Sequence, residues 1–220
     1  MKDRTVNLVC ERAAARRRPG PLAFVVAGLL SCGESVPPSS MMEAATPVFV
    51  GMVPGTDARV ALVTSAHHAR FYFCGGDSFY TTTTRWLVAP VDAVGAVAFG
   101  PTASVPWQVT ASFDRDEVAG VLDRGDGLAL LFSAARTTAG TLAGLYVVMA
   151  PCGQVGVIVT QAARNVAAVA QGACINADPS VPIIQVSPLM PIVAGANGTI
   201  AVTPAGTDTV FVHPATPPLD

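Results

Sequence analysis

Residues 107–113, Trp107-Gln108-Val109-Thr110-Ala111-Ser112-Phe113, alternate apolar and polar side chains along their length. In an extended chain successive side chains point to opposite faces. Trp107, Val109, Ala111 and Phe113 therefore share one face, and Gln108, Thr110 and Ser112 share the other. This pattern predicts a half-buried β-strand, with one face on a core and one in water.

The same texture recurs on both sides of this strand. Toward the N-terminus lie Ala96–Phe99, Trp86–Val88, Arg70–Phe73, Val60–Val63 and Val48–Val50, with a turn signal at Pro54-Gly55-Thr56-Asp57. Toward the C-terminus, Val118–Leu122 and Leu128–Phe132 flank Asp123-Arg124-Gly125-Asp126-Gly127, the composition of a hairpin tip with glycines free to take positive φ. Leu145–Met149 and Val155–Thr160 extend the series. Short strands separated by frequent turn signals predict an all-β fold, an antiparallel sandwich or small barrel. Thr160–Gly172 reads either as a helix, from its alanines and terminal glycine, or as a hairpin turning at Arg164-Asn165. Its strand neighbours favour the hairpin. The β-rich domain is expected over residues 47–193. Residues 194–220 read as a Pro/Gly-rich tail, with Thr199–Val202 and Thr209–Val212 as possible edge strands.

Arg16 to Gly33, RRRPGPLAFVVAGLLSCG, has a different character. Three arginines precede an apolar run from Pro21 to Leu30, which as a helix would span only about 15 Å, half a bilayer core. A charged segment, a short apolar segment and a processing site are the parts of an export signal. Leu29, Ser31 and Cys32 resemble the lipobox of bacterial lipoproteins, with Leu30 where a small residue is more usual. The resemblance implies a cleaved signal peptide over residues 1–31, lipidation of Cys32, and a lipid-anchored tether over residues 32–46. A tether of that length holds a domain roughly 20 Å from the membrane. The implied location is the bacterial cell envelope, extracytoplasmic, with the membrane as a partner through the lipid.

Charge and cysteine usage agree with that address. From Cys32 onward there are seven arginines and no lysine against thirteen Asp plus Glu, a net of −6. Such a chain lacks the basic patch that nucleic-acid binding requires. Beyond Cys10 and Cys32 remain Cys74, Cys152 and Cys174. No C-x-x-C occurs, and the spacings match no zinc framework. Cys152 and Cys174 flank the expected hairpin and are expected to pair, whereas Cys74 closes an apolar strand and reads as a buried thiol.

GTDARVALV (55–63), RFYFCGGD (70–77) and LLFSAARTTAGTLAGLY (130–146) also resemble a β-rich unit of uncharacterised exported proteins from GC-rich bacteria. That resemblance implies no catalytic residue.

Candidate chemistry is sparse. Gly76-Asp77-Ser78-Phe79 after an apolar strand resembles the first block of the GDSL (SGNH-type) hydrolases. The resemblance implies Ser78 as nucleophile, Asn197 as oxyanion donor and His213 as base. The family's Gly-x-Asn-Asp appears here only as Gly-Ala-Asn-Gly, its Asp-x-x-His is missing, and so are its alternating helices. His67-His68 would point to opposite faces of an extended chain and cannot easily share a metal. Asp123 and Asp126 sit in a loop too short to supply a calcium shell. No metal or cofactor is expected. Asp77, Phe79, Tyr80 and Trp86, interleaved with Thr81–Thr84, would suit a carbohydrate or protein surface. The reading is a non-catalytic binding or envelope-interaction module, whose partner is an envelope protein or carbohydrate. The alternatives are a serine hydrolase built on Ser78 and a structural or inhibitory surface protein.

Overall fold

The computed structural model describes residues 46–102, 105–161, 168–206 and 208–218. The fold is all-β and antiparallel, and it consists of two successive meanders. The first runs through β1 (Val48–Met52), β2 (Arg59–Thr64), β3 (His68–Cys74), β4 (Arg85–Pro90), β5 (Ala96–Phe99), β6 (Gln108–Asp114), β7 (Glu117–Asp123) and β8 (Ala129–Arg136). A single helical turn, α1 (Tyr80–Thr83), joins β3 to β4. Strand β1 pairs with both β2 and β8, in register Phe49↔Arg136 to Met52↔Ser133. The isolated bridge Val91↔Val97 brings the β4 and β5 ends together, so the eight-stranded sheet curls almost into a barrel. The second meander comprises β9 (Gly144–Ala150), β10 (Gly153–Thr160), β11 (Val169–Ile175), β12 (Ile184–Pro188), β13 (Ile200–Pro204) and β14 (Val210–Pro214). It closes fully where β14 returns to β9 at His213↔Val147 and Pro214↔Tyr146.

The alternation at 107–113 is realised as read: Trp107, Val109 and Ala111 are buried, and Gln108, Thr110 and Ser112 are exposed. The hairpin tip at 123–127 uses Gly125 (φ 77°) and Gly127 (φ 84°) in the left-handed region. The Asp123 and Asp126 carboxylates accept the Gly125 and Leu128 N–H groups, the self-capping chemistry that makes Asp a turn residue. Val169–Gly172 is strand, paired against Val157–Thr160, so the helical alternative does not describe that part of the segment. Residues 162–167, including Arg164-Asn165, lie outside the described residues.

The C-terminal segment differs from a tail carrying edge strands. Strands β13 and β14 each have a neighbour on both sides and close the second barrel. Ile200, Val202 and Val212 point into its core, while Pro204 and Pro214 fall at strand ends, where a missing N–H is tolerated.

Three apolar clusters account for the packing. One fills the first barrel with Phe49, Phe71, Phe73, Phe132 and their aliphatic neighbours. A second fills the closed barrel with Val155, Val157, Val159, Ile200, Val202 and Val212. The third lies between the barrels and joins Ala61, Val63, Tyr72 and Cys74 to Leu145, Ile158 and Ala173. It explains why β2, β3 and β10 read as near-continuous apolar runs: each is buried on both faces. Gly156 of β10 sits at the closest approach, where a Cβ would lie 2.6 Å from Trp86 Cζ2 and 2.7 Å from Tyr72 Cζ. The Tyr72 and Trp86 rings stack at 4.3 Å, and the Tyr72 hydroxyl donates to the Gly156 carbonyl at 3.1 Å.

Overpacking a filled core typically destabilises by about 1–3 kcal/mol. Gly156→Ala is therefore expected to lower the urea midpoint by an amount in that range. Gly100→Ala, at a position with no neighbour within 4 Å, is expected to change stability by under about 0.5 kcal/mol. Equal effects of the two substitutions would contradict the close approach at Gly156.

Candidate functional site

Both barrel interiors are occupied by side chains. In the first, Phe71, Phe73, Phe132 and Trp107 meet edge-to-face at 5.3–6.3 Å. Open space lies instead along the seam between the barrels, where an interface of two packed units commonly leaves a ligand site. Two clefts lie there among the described residues.

The larger holds about 600 Å³ and is lined by Arg85, Trp86, Val105, Met149, Val181 and Ile183 among others. Arg85 opens β4 on the same side as Leu87 and Ala89, and its guanidinium lies 5.3 Å from the centre of the Trp107 ring. That cation–π contact satisfies charge without using the N–H fork. Among the described residues Arg85 has no carboxylate partner. Its Nε, and the Nε1 of Trp86, are buried without a hydrogen-bond partner. Leaving a buried donor unpaired costs about 1–3 kcal/mol, so both atoms are polar groups that the packing leaves unsatisfied.

The smaller cleft, about 420 Å³, is polar and is lined by Asp57, Arg59, Asp77, Gln171 and Gln185 among others. Most of its groups are already engaged. Arg59 Nε donates to Gln171 Oε1 at 3.0 Å, and Arg59 Nη1 donates to Thr160 Oγ1. Gln171 Nε2 in turn donates to the Cys74 carbonyl at 2.8 Å, so this chain of bonds clasps β2 and β3 to β10 and β11. The Asp57 carboxylate accepts the Ser78 N–H at 2.9 Å, and Gln185 Nε2 donates to Asp77 at 3.4 Å. Gly76 permits this packing, because a Cβ there would lie 2.3 Å from Asp57 Cγ.

The structure does not join the three residues implied by the hydrolase resemblance. Ser78 is exposed in the turn before α1 of the first barrel. Asn197 lies in a 3₁₀ turn (φ 57°) and His213 on β14, both exposed on the second barrel. Ser78's hydrogen bond is through its backbone N–H to Asp57, not to a base. The aromatic residues of the same stretch are not a free-standing platform. Tyr80 and Trp86 are half-buried and pack against the seam cluster, Trp86 by stacking on Tyr72, which removes apolar surface from water. Burial of the Tyr80 hydroxyl, which has no partner, raises its pKa above the usual phenol value. Phe79 is half-buried, and its carbonyl accepts the Thr82 and Thr83 N–H groups of α1.

Two features carried no readable signal. Arg124, in the hairpin tip, is buried, donating to Thr83 Oγ1 at 3.1 Å and pairing with Asp126 at 2.6 Å. Arg85 appears in sequence only as a charge before an apolar strand. Its parity with Leu87 and Ala89 is the one clue that it faces inward. Among the described residues no group of three or more His, Cys, Asp or Glu is arranged to hold a metal ion.

Cys152 and Cys174 are joined in a disulfide with a Cα–Cα separation of 6.1 Å, tying the β9–β10 turn to β11. Cys74 is a free thiol facing the seam, and burial pushes its pKa up to about 11. Cys32 lies outside the described residues. No protein-family model, curated protein or solved structure matches this chain.

These thiol environments predict an alkylation pattern. Cys74 stays unmodified by iodoacetamide in the folded protein at pH 8, because reaction needs an accessible thiolate. It reacts once the protein is denatured, and reduction then exposes two further thiols. Replacing Cys152 and Cys174 by serine is expected to destabilise the fold by roughly 3 kcal/mol in urea. Native labelling of Cys74, or no gain of thiols on reduction, would contradict these environments.

Proposed function

We propose that this chain is a membrane-anchored bacterial lipoprotein whose β domain is a non-catalytic binding module, taking its ligand in the larger cleft between the barrels. The anchor rests on Leu29, Ser31 and Cys32 and on the export-signal character of the residues before them. The binding role rests above all on one observation: both barrel cores are packed with apolar side chains, while a cleft of about 600 Å³ at the seam is lined by Arg85, which has no carboxylate partner among the described residues. A site of that volume suits a small ligand. Such a ligand would be a component of the cell envelope, in keeping with the extracytoplasmic address.

Two measurements on protein recovered from membranes test this reading. The mature N-terminal peptide is expected to carry a diacylglyceryl or triacyl mass on Cys32, absent from Cys32→Ala. An intact or differently cut N-terminus in soluble protein would remove the anchor. Native mass spectrometry after incubation with a solvent extract of bacterial envelopes is expected to show a small-molecule adduct. Ala177→Trp, which places a ring at the exposed rim of the cleft, is expected to abolish it. No adduct, or one that Ala177→Trp leaves intact, would overturn the binding role.

A further inference from the structure

We propose that the larger cleft binds a small amphiphile with a single carboxylate head and an apolar tail, and that the Arg85 guanidinium receives the head. This inference rests on the binding role assigned to that cleft and names the class of its ligand.

Charge carries the first part of the argument. The chain from Cys32 onward is net acidic, yet the lining of this cleft contains one cation, Arg85, and no Asp or Glu. Arg85 is engaged only by the face of Trp107, so its planar donor fork is uncommitted among the described residues. A planar carboxylate matches that fork with two parallel hydrogen bonds. One guanidinium balances one negative charge, which favours a monoanion over a phosphate monoester. Trp86, the next residue along β4, also lines the cleft but turns its ring to the opposite face, onto Tyr72, so Arg85 alone is assigned the head group.

The walls carry the second part. Val105, Met149, Ile175, Val181 and Ile183 give much of the lining an apolar surface complementary to a tail, with Thr84, Gln154 and Asn176 as its uncharged polar members. The smaller cleft differs on each count. It holds Asp57 and Asp77, and its arginine is already bonded to Gln171 and Thr160, so an anion finds no vacant receptor there.

The test titrates sodium decanoate, below its micelle threshold, into the full chain carrying Cys32→Ala, oxidised and free of detergent. Calorimetry reports the heat, and the fluorescence of Trp86 and Trp107, the two tryptophans of the chain, reports the site. One saturable equivalent is expected, with decyltrimethylammonium and acetate at least about tenfold weaker. Arg85→Gln is expected to weaken decanoate binding by about tenfold or more, the loss typical of a hydrogen bond to a charged group. Val181→Glu adds an acid at the exposed rim without entering a barrel core and is expected to weaken it similarly. If Arg85→Gln fails to fold, as judged by circular dichroism, Val181→Glu decides. No saturable decanoate binding, equal binding of the cationic amphiphile, or wild-type affinity in a folded variant would each overturn the proposal. An envelope adduct that persists without decanoate binding would sink the ligand class and leave the binding role standing. Loss of both would remove both.

Discussion

The rest of the structure depends on the contact between Gly156 and the stacked pair Tyr72 and Trp86. A side chain at position 156 would occupy the space these rings already fill, so only glycine lets β10 approach β3 and β4 this closely. The approach buries the outward faces of β2, β3 and β10, and each of these strands is then apolar on both sides. Polar clasps bracket the same seam. Tyr72 donates to the Gly156 carbonyl, and Arg59 and Gln171 tie the ends of β2 and β3 to the second barrel. Each such bond contributes on the order of 1 kcal/mol net. The greater part of the joint is apolar area removed from water.

How much of this was legible in sequence depended on whether a strand meets solvent. The alternation of 107–113 identified β6 and its faces, because one of those faces is wet. Runs such as Val60–Val63 identified strands but not what covers their second face, since two-sided burial erases the alternation. The last strands read as possible edges because prolines punctuate the segment, yet each has a neighbour on both sides. Those prolines stand at strand ends and leave the interior ladder intact. Gly156, which governs the seam, is one glycine among twenty in the sequence and carries no local mark. Its role depends on Tyr72 and Trp86, more than sixty residues away in the chain.

The candidate site was less legible than the fold. A motif in the sequence points to Ser78, Asn197 and His213, and folding leaves Ser78 on the first barrel and the other two on the second, without a hydrogen bond from Ser78 to either. Trp86 was singled out as a surface aromatic, and it does line a cleft, though half-buried in the seam. Arg85 gained significance only through its surroundings, an aromatic face below it and apolar walls beside it. The described residues pack both barrel cores with apolar side chains, chiefly Phe, Val and Leu. The contacts that hold the two barrels together also shape the clefts at the joint.

The central claim is that the seam makes the two barrels one cooperative unit. The direct measurement is urea unfolding followed by two probes on the same samples. Tryptophan fluorescence reads the first barrel at Trp107 and the seam at Trp86, and amide hydrogen exchange at Val157 and Val202 reads the second barrel. Coincident midpoints and a shared opening free energy are expected for the two sets of probes. Strands of the second barrel opening at clearly lower urea, while the tryptophans remain native, would show two independent barrels and contradict it.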